Sequence, residues 1–364
     1  MTREVKKSLE PYNLAGMARI AGIATAVPTH ALDQADVGDR VRAQFTHSSV
    51  VTRLLPVFAN TGIQRRYSCV PIEWYYDEHG WPERNALYRQ SAVALLEEAA
   101  LRALAAAGRA VEDVDTIVVV STTGIATPSL DALLMERLPF KRTVRRLPVF
   151  GLGCVGGAIG LARAGAMADA YPGSVVLLLV VELCALWFRR DEISKSNVVA
   201  TALFGDGAAA AVITADGAGP RIAASGEHTF PATLDVMGWD VADDGLSAIF
   251  SRDIPHIVET QLRDVVDRYL AQSRLERGNV DVFLSHPGGT KVLDALESAF
   301  GIASGTLVDS RITLRDYGNM SAVTVLFVLE RALREGALTG DTWNRALLSA
   351  MGPGFTAAFV TLER

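Results

Sequence analysis

Cys154 lies in the run Gly151-Leu152-Gly153-Cys154-Val155-Gly156-Gly157, just ahead of an apolar stretch of helical composition. Glycines on both sides admit strained backbone and close approach of another group. At a helix N-terminus the free N–H groups and the dipole favour a thiolate, and a neighbouring imidazolium lowers a thiol pKa from about 8.5 to roughly 3.5–7.5. That is a nucleophile's setting, although an inert buried cysteine fits the local sequence as well. His286 follows the apolar run Val280–Ser285 and precedes Pro287-Gly288-Gly289. A histidine at the end of a buried strand sits where parallel sheets present active-site groups. Asn319 follows Gly318 at the mouth of another apolar helix, where it serves as an N-cap or as an amide donor to a developing oxyanion. His30, His47, His79, His228 and His256 lie in polar or mixed stretches and read as exposed or structurally bonded.

Phe204-Gly205-Asp206-Gly207 suggests a tight bend, without the spacing of a dinucleotide or phosphate loop. Gly352-Pro353-Gly354 reads as a rigid turn able to shape a cavity. No Cys/His grouping has metal-ligand spacing, so no metal is expected. The three cysteines, Cys69, Cys154 and Cys184, are odd in number and unpaired in spacing, which fits a reducing compartment.

The elements that position these groups come in pairs. A helix over Ser91–Ala107, stopped by Gly108, leads to a buried strand, Val114–Ser121. A helix over Val265–Leu275, broken at Gly278, leads to the strand Val280–Ser285. Asp115 and Asp281, at the two strand starts, are offset by 166 residues. Cys154 and Asn319 are offset by 165, each in a small-residue turn running into an apolar helix, Gly151–Met167 and Tyr317–Leu333. Buried strand candidates follow at 174–183 and 345–351. The repeat predicts two duplicated α/β halves about a pseudo-twofold, 1–215 carrying Cys154 and 216–364 carrying His286 and Asn319. Before them lie an early strand, Arg19–Val27, and an aromatic run, Trp74, Tyr75, Tyr76 and Trp81. Strand and turn signals over 217–242 precede a candidate cleft lining, Val241–Arg252.

At 364 residues, 49% hydrophobic and 21% charged, the chain can bury a large core, which excludes disorder. A net charge of −6 offers no basic stripe, so nucleic acid is not expected as a partner. Arg3, Lys6 and Lys7 mix with Glu4, Glu10 and Pro11, unlike a signal peptide, and the longest unbroken apolar run, Val175–Val181, is too short to span a bilayer. A cytoplasmic protein without a membrane span is expected.

Cys154, Phe204-Gly205-Asp206-Gly207, His286-Pro287-Gly288-Gly289, Tyr317-Gly318-Asn319-Met320-Ser321 and Gly352-Pro353-Gly354, in that order, resemble the type III polyketide synthases. These are the chalcone synthase-like branch of the thiolase-fold condensing enzymes, and the likeness runs from about Arg19 to Arg364. The resemblance implies an αβαβα thiolase-like fold, a homodimer and a Cys154–His286–Asn319 triad. It implies that an acyl-CoA starter is held on Cys154 and extended by decarboxylative condensation with malonyl-CoA, with no cofactor besides the CoA thioesters. Phe204 matches the family's phenylalanine between CoA tunnel and cavity. Thr122, Thr127, Cys184, Trp187, Trp239, Ala248, Ser321, Gly352, Pro353 and Gly354 fall on substrate-cavity positions, and Arg53 and Lys291 on candidate CoA-phosphate positions. Pro56 and Asn60 replace two of the family's basic residues there.

Several cavity positions depart from the plant enzymes. Ala248 stands where a second phenylalanine is expected and opens the cavity entrance. Cys184 and Trp187 replace threonines, Trp239 a glycine and Thr127 a methionine. Cys184 and Met237-Gly238-Trp239-Asp240 look like the bacterial alkylpyrone and alkylresorcinol synthases, which implies an aliphatic starter. Each buried methylene contributes about 0.8 kcal/mol, so an apolar tunnel can select chain length. Rival readings are an initiating ketoacyl-carrier-protein synthase, whose histidine is usually followed by Gln-Ala-Asn, a cysteine acyl hydrolase, and a non-catalytic acyl-binding relative.

Overall fold

A computed structural model describes residues 17–45, 49–190, 192, 194–251 and 253–364. His47, the N-terminal charges up to Pro11, and Arg252 lie outside the described residues. In chain order the strands are β1 (Arg19–Ala26), β2 (His30–Asp33), β3 (Arg65–Ser68), β4 (Val114–Val120), β5 (Arg145–Val149), β6 (Val175–Leu183), β7 (Asp206–Thr214), β8 (Arg221–Thr229), β9 (Met237–Ala242), β10 (Gly245–Phe250), β11 (Val282–Ser285), β12 (Arg345–Gly352) and β13 (Thr356–Glu363).

Nine of them form one mixed sheet in the order β11-β12-β13-β8-β1-β7-β6-β4-β5. Its middle joint is slender, because β1 and β8 meet through the single pair Arg19–Arg221. The assembly is therefore two half-sheets, β1-β7-β6-β4-β5 and β8-β13-β12-β11, linked at one corner.

Alternation along the strands builds five layers. Val118, Val120, Leu178 and Val180 from one half-sheet, and Leu348, Ala350 and Val360 from the other, face a shared central core. Two helices fill that core, Gly156–Ala170 and Thr324–Arg334. Ile117, Val119, Leu177 and Leu179 point the opposite way, onto the long helix Trp81–Ala106. Phe283, Leu347, Met351 and Phe359 likewise face outward, onto helices Ile254–Gln272 and Thr290–Phe300. Strands covered on both faces have no polar side, which explains the unbroken apolar runs. The helix Gly156–Ala170 and the turn Ser321–Val323 ahead of the second central helix approach so closely that a methyl group at Gly157 would collide with the Ala322 carbonyl.

The two candidate repeat markers do the same work. The Asp115 carboxylate accepts the Val175 N–H at the start of β6, and Asp281 accepts the Asn344 and Arg345 N–H groups at the start of β12. Some boundaries differ from expectation. The first helix begins at Trp81, with Pro82 in its first turn, ten residues before the Ala/Leu-rich segment. The helix expected over 265–275 runs Ile254–Gln272, and it stops at Ser273 and Arg274, the latter at φ 56°, well before Gly278. Among the described residues no helix is long and apolar enough to cross a membrane.

Candidate active site

Cys154 is the middle residue of a 3-10 turn, Gly153–Val155, that leads into the central helix Gly156–Ala170. Three neighbours fix this turn. The Gly153 N–H donates to Thr122 Oγ1 at 3.0 Å. Gly352, at the end of β12, packs so tightly on Val155 and Leu152 that it has no room for a side chain, and Pro353 abuts Gly153. The Ser321 side chain lies near the Cys154 thiol. Thr122, Gly352 and Pro353 thus brace the Cys154 turn, and Gly354 follows at φ 70°.

His286 directly follows β11 and is buried, with its N–H donating to the Ser349 carbonyl of β12 at 2.8 Å. Neither ring nitrogen has a hydrogen-bond partner, which leaves the imidazole free to handle a proton. Asn319 is also buried. Its Oδ1 accepts the Ser321 N–H at 2.8 Å, so the amide presents its NH₂ end as the free donor. Its backbone forms a parallel bridge with Phe204: the Asn319 N–H donates to the Leu203 carbonyl and the Gly205 N–H to the Asn319 carbonyl. Asn319 is thereby joined to Phe204, while β12 links the backbone of His286, at Ser349, with the Cys154 turn, at Gly352.

Burial dominates the electrostatics. It pushes the Cys154 thiol up to about 12, with Ser321 acting against it and Glu182 adding to it. It pulls His286 down to about 4. Burial thus disfavours the charged form of both groups, the reverse of the expected lowering of the thiol pKa. Glu182, fully buried in β6, accepts from the Thr122 and Thr123 N–H groups and from Thr123 Oγ1, and burial raises it to about 7.

An apolar pocket opens beside Phe204. Its wall includes Cys184, Trp187, Phe204, Trp239 and Ala248, and it extends to Val37 and Val41 on the helix Gln34–Gln44. Trp187 is locked by its indole N–H to the Thr123 carbonyl and packs on Trp81. Phe250, two residues beyond Ala248 on the same face of β10, packs beside Phe204. Its ring lies 5.6 Å from that of Phe204, and Trp239 lies at 5.4 Å. Thr127 is exposed, on a loop beside the exposed Ile125, outside this pocket. Arg53 and Lys291 are exposed, on segments joined where Thr290 Oγ1 donates to the Asn60 carbonyl. Cys69 braces Asp206 through its N–H, and His79 is held between the Trp74 carbonyl and Glu83.

Residues that sequence reasoning passed over include Phe250, Glu182 and Arg66. Arg66 is 2% exposed, and burial pulls its pKa down to about 10 against the pull of Tyr75 and Asp206. Its Nη1 donates to the Thr201 and Phe204 carbonyls. No local pattern announces any of the three, because their partners lie far away in the chain or are backbone groups.

A duplicated five-layer fold, with a cysteine at the mouth of one central helix and an asparagine at the mouth of the other, defines a thiolase-like condensing enzyme. The N-terminal domain of chalcone and stilbene synthases matches residues 5–217, and the C-terminal domain of the same enzymes matches residues 221–363. The chain belongs to this family, the type III polyketide synthases. It is 38% identical over 356 residues to a putative chalcone synthase of Bacillus subtilis, covering 94% of this chain and 97% of the relative. It is also 38% identical over 351 residues to a 1,3,6,8-tetrahydroxynaphthalene synthase of Streptomyces peucetius subsp. caesius, covering 94% and 92%. The crystal structure of the 1,3,6,8-tetrahydroxynaphthalene synthase from Streptomyces coelicolor A3(2) superposes with a TM-score of 0.91 at 29% identity, over 95% of this chain and 99% of that one.

Proposed function

We propose that this type III polyketide synthase loads an aliphatic acyl-CoA on Cys154, extends it with malonyl-CoA and closes the product to an alkylpyrone or alkylresorcinol. The observation that carries the choice of starter is the apolar pocket leading from Phe204 past Cys184, Trp187, Trp239 and Ala248. An alkyl chain gains by burial there and needs no polar contact.

In the first step His286 takes the Cys154 proton as sulfur attacks the starter thioester, and CoA leaves as its thiol with that proton. A neutral thiol beside a neutral imidazole suits this order of events. Malonyl-CoA then loses carbon dioxide, and the electron pair of the broken bond becomes an enolate. The Asn319 NH₂ and His286 donate to the enolate oxygen. The enolate carbon attacks the Cys154 thioester, the thiolate leaves, and the chain on CoA is two carbons longer. It returns to Cys154 for each further round. Phe204, backed by Trp239 and Phe250, borders the malonyl position, and Arg53 and Lys291 reach the CoA phosphates. The chemistry requires no cofactor other than CoA thioesters. A homodimer fits the open sheet edge at β5 and the exposed Phe150 that follows it.

A second reading, in which malonyl-CoA supplies the whole carbon skeleton, is favoured by the 38% identity to a tetrahydroxynaphthalene synthase. Incubation with malonyl-CoA and acyl-CoA starters of increasing length, followed by mass spectrometry, separates the two. Products whose masses track the starter support the alkyl reading. A naphthalene made from malonyl-CoA alone, unchanged by added starter, overturns it in favour of the second. Free fatty acid as the only product means hydrolysis.

A further inference from the structure

We infer that Arg66 is a positioning residue that holds Phe204 and Asn319 as one unit across the boundary between the two halves. The inference rests on the reading that gives those two residues the malonyl group. The helix Lys195–Leu203 ends at Phe204, and its last carbonyls need partners. Gln34 Nε2 takes the Ala202 carbonyl, the Asn319 N–H takes Leu203, and Arg66 Nη1 takes both Thr201 and Phe204. Asn319 is thus bonded into the same helix end that Arg66 closes. A buried cation at a helix C-terminus also complements the dipole.

The stem of Arg66 adds a second constraint. A methyl group at Gly205 would come within 3.1 Å of Arg66 Cβ, and one at Gly318 within 3.3 Å of Arg66 Cδ. These glycines flank the Phe204–Asn319 bridge, one on each strand, and Arg66 lies against both. Burying a guanidinium with Nε and Nη2 unpartnered is costly, and a cap alone would not require it. The arrangement makes sense where the relative placement of an aromatic wall and an oxyanion donor must be held to within a fraction of an ångström.

The test compares two reactions of the full-length enzyme: starter-free decarboxylation of malonyl-CoA, and alkylation of Cys154 by iodoacetamide. A displacement of about 1 Å costs roughly 100-fold in rate, so Arg66→Met should lower the decarboxylation kcat by about 10- to 100-fold, more than it raises KM. Alkylation of Cys154 should stay within about twofold, and Arg66→Lys, which keeps a cation near the two carbonyls, should recover part of the loss. A folded Arg66→Met enzyme with wild-type decarboxylation kcat overturns the proposal. So does an equal fall in both reactions, which marks general damage. If Arg66→Met does not fold, Arg66→Lys carries the test: loss confined to decarboxylation supports the proposal, and equal losses, or no loss, overturn it. Asn319→Ala is the separate control, since unimpaired decarboxylation there removes the role of Asn319 itself, whatever Arg66 does.

Discussion

The turn at Cys154 and the turn at Asn319 are the same structural device used twice. Each is a glycine-led approach to a 3-10 turn and a central helix, Gly153–Val155 before Gly156–Ala170 and Ser321–Val323 before Thr324–Arg334. Their surroundings differ. The Cys154 turn is braced by Thr122 and by Gly352-Pro353, with Ser321 near its thiol. The Asn319 turn is tied backbone to backbone with Phe204, and its side chain is oriented by Ser321. A nucleophile needs a free reactive atom on a fixed turn, whereas an oxyanion donor needs its whole group fixed. The duplicated scaffold supplies the shared geometry, and the local contacts set the chemistry.

The comparison breaks most sharply at the reactive atoms. Cys154→Ala should abolish condensation, read as loss of any product whose mass depends on the starter. Asn319→Ala should slow malonyl-CoA decarboxylation by about 100- to 1000-fold, the usual cost of one oxyanion donor, while Cys154 is still alkylated. The resting charge state sharpens the contrast further. With the thiol near 12 and the imidazole near 4, alkylation of Cys154 should climb steadily between pH 7 and 9. A rate plateau starting near pH 6 would mean a resting ion pair and contradict the neutral site.

Stability tests follow, with smaller effects. Gly157→Ala places a methyl group against the Ala322 carbonyl and should lower stability by about 1–3 kcal/mol in urea unfolding, because the helix and the Ser321–Val323 turn must separate. Glu182 is raised by burial to about 7 in the folded state, so between its unfolded value and pH 7 the folded protein holds the extra proton. That contribution is complete below about pH 4 and is lost as pH rises through 7. Relative to Glu182→Gln, the wild type should lose stability over that window, by about 3 kcal/mol or less. The smallest effect is at the matched aspartates. Burial works against the Asp115 charge and is outweighed by the Val175 N–H and Lys141, while the Asn344 and Arg345 N–H groups hold Asp281 down. Asp115→Asn and Asp281→Asn should each cost about 1 kcal/mol and should match one another. A large inequality would show that the halves no longer share this joint.

The continuous strands and the helix-to-strand order were legible in the sequence because each depends on neighbours within a few positions. Apolar runs such as Val175–Leu183 declare burial on both faces, and the glycines around Cys154 declare close approach. The misplaced start at Trp81 has a local cause too: Trp81–Gln90 mixes aromatic and charged residues and lacks the Ala/Leu pattern that follows. Gly278 drew attention from Arg274, whose positive φ no composition rule announces. Glu182 and Arg66 were invisible for a different reason. Their partners, Thr122 and Thr123 in one case and the carbonyls of Thr201 and Phe204 in the other, are 59 to 138 residues away.

Gly157 and Ala322 touch where the helix that follows the Cys154 turn meets the turn that follows Asn319. Two identical chains meeting about a twofold would carry the same residue at both turns. Within one polypeptide each turn carries its own residue, cysteine in one and asparagine in the other, while the small residues remain where the turns touch.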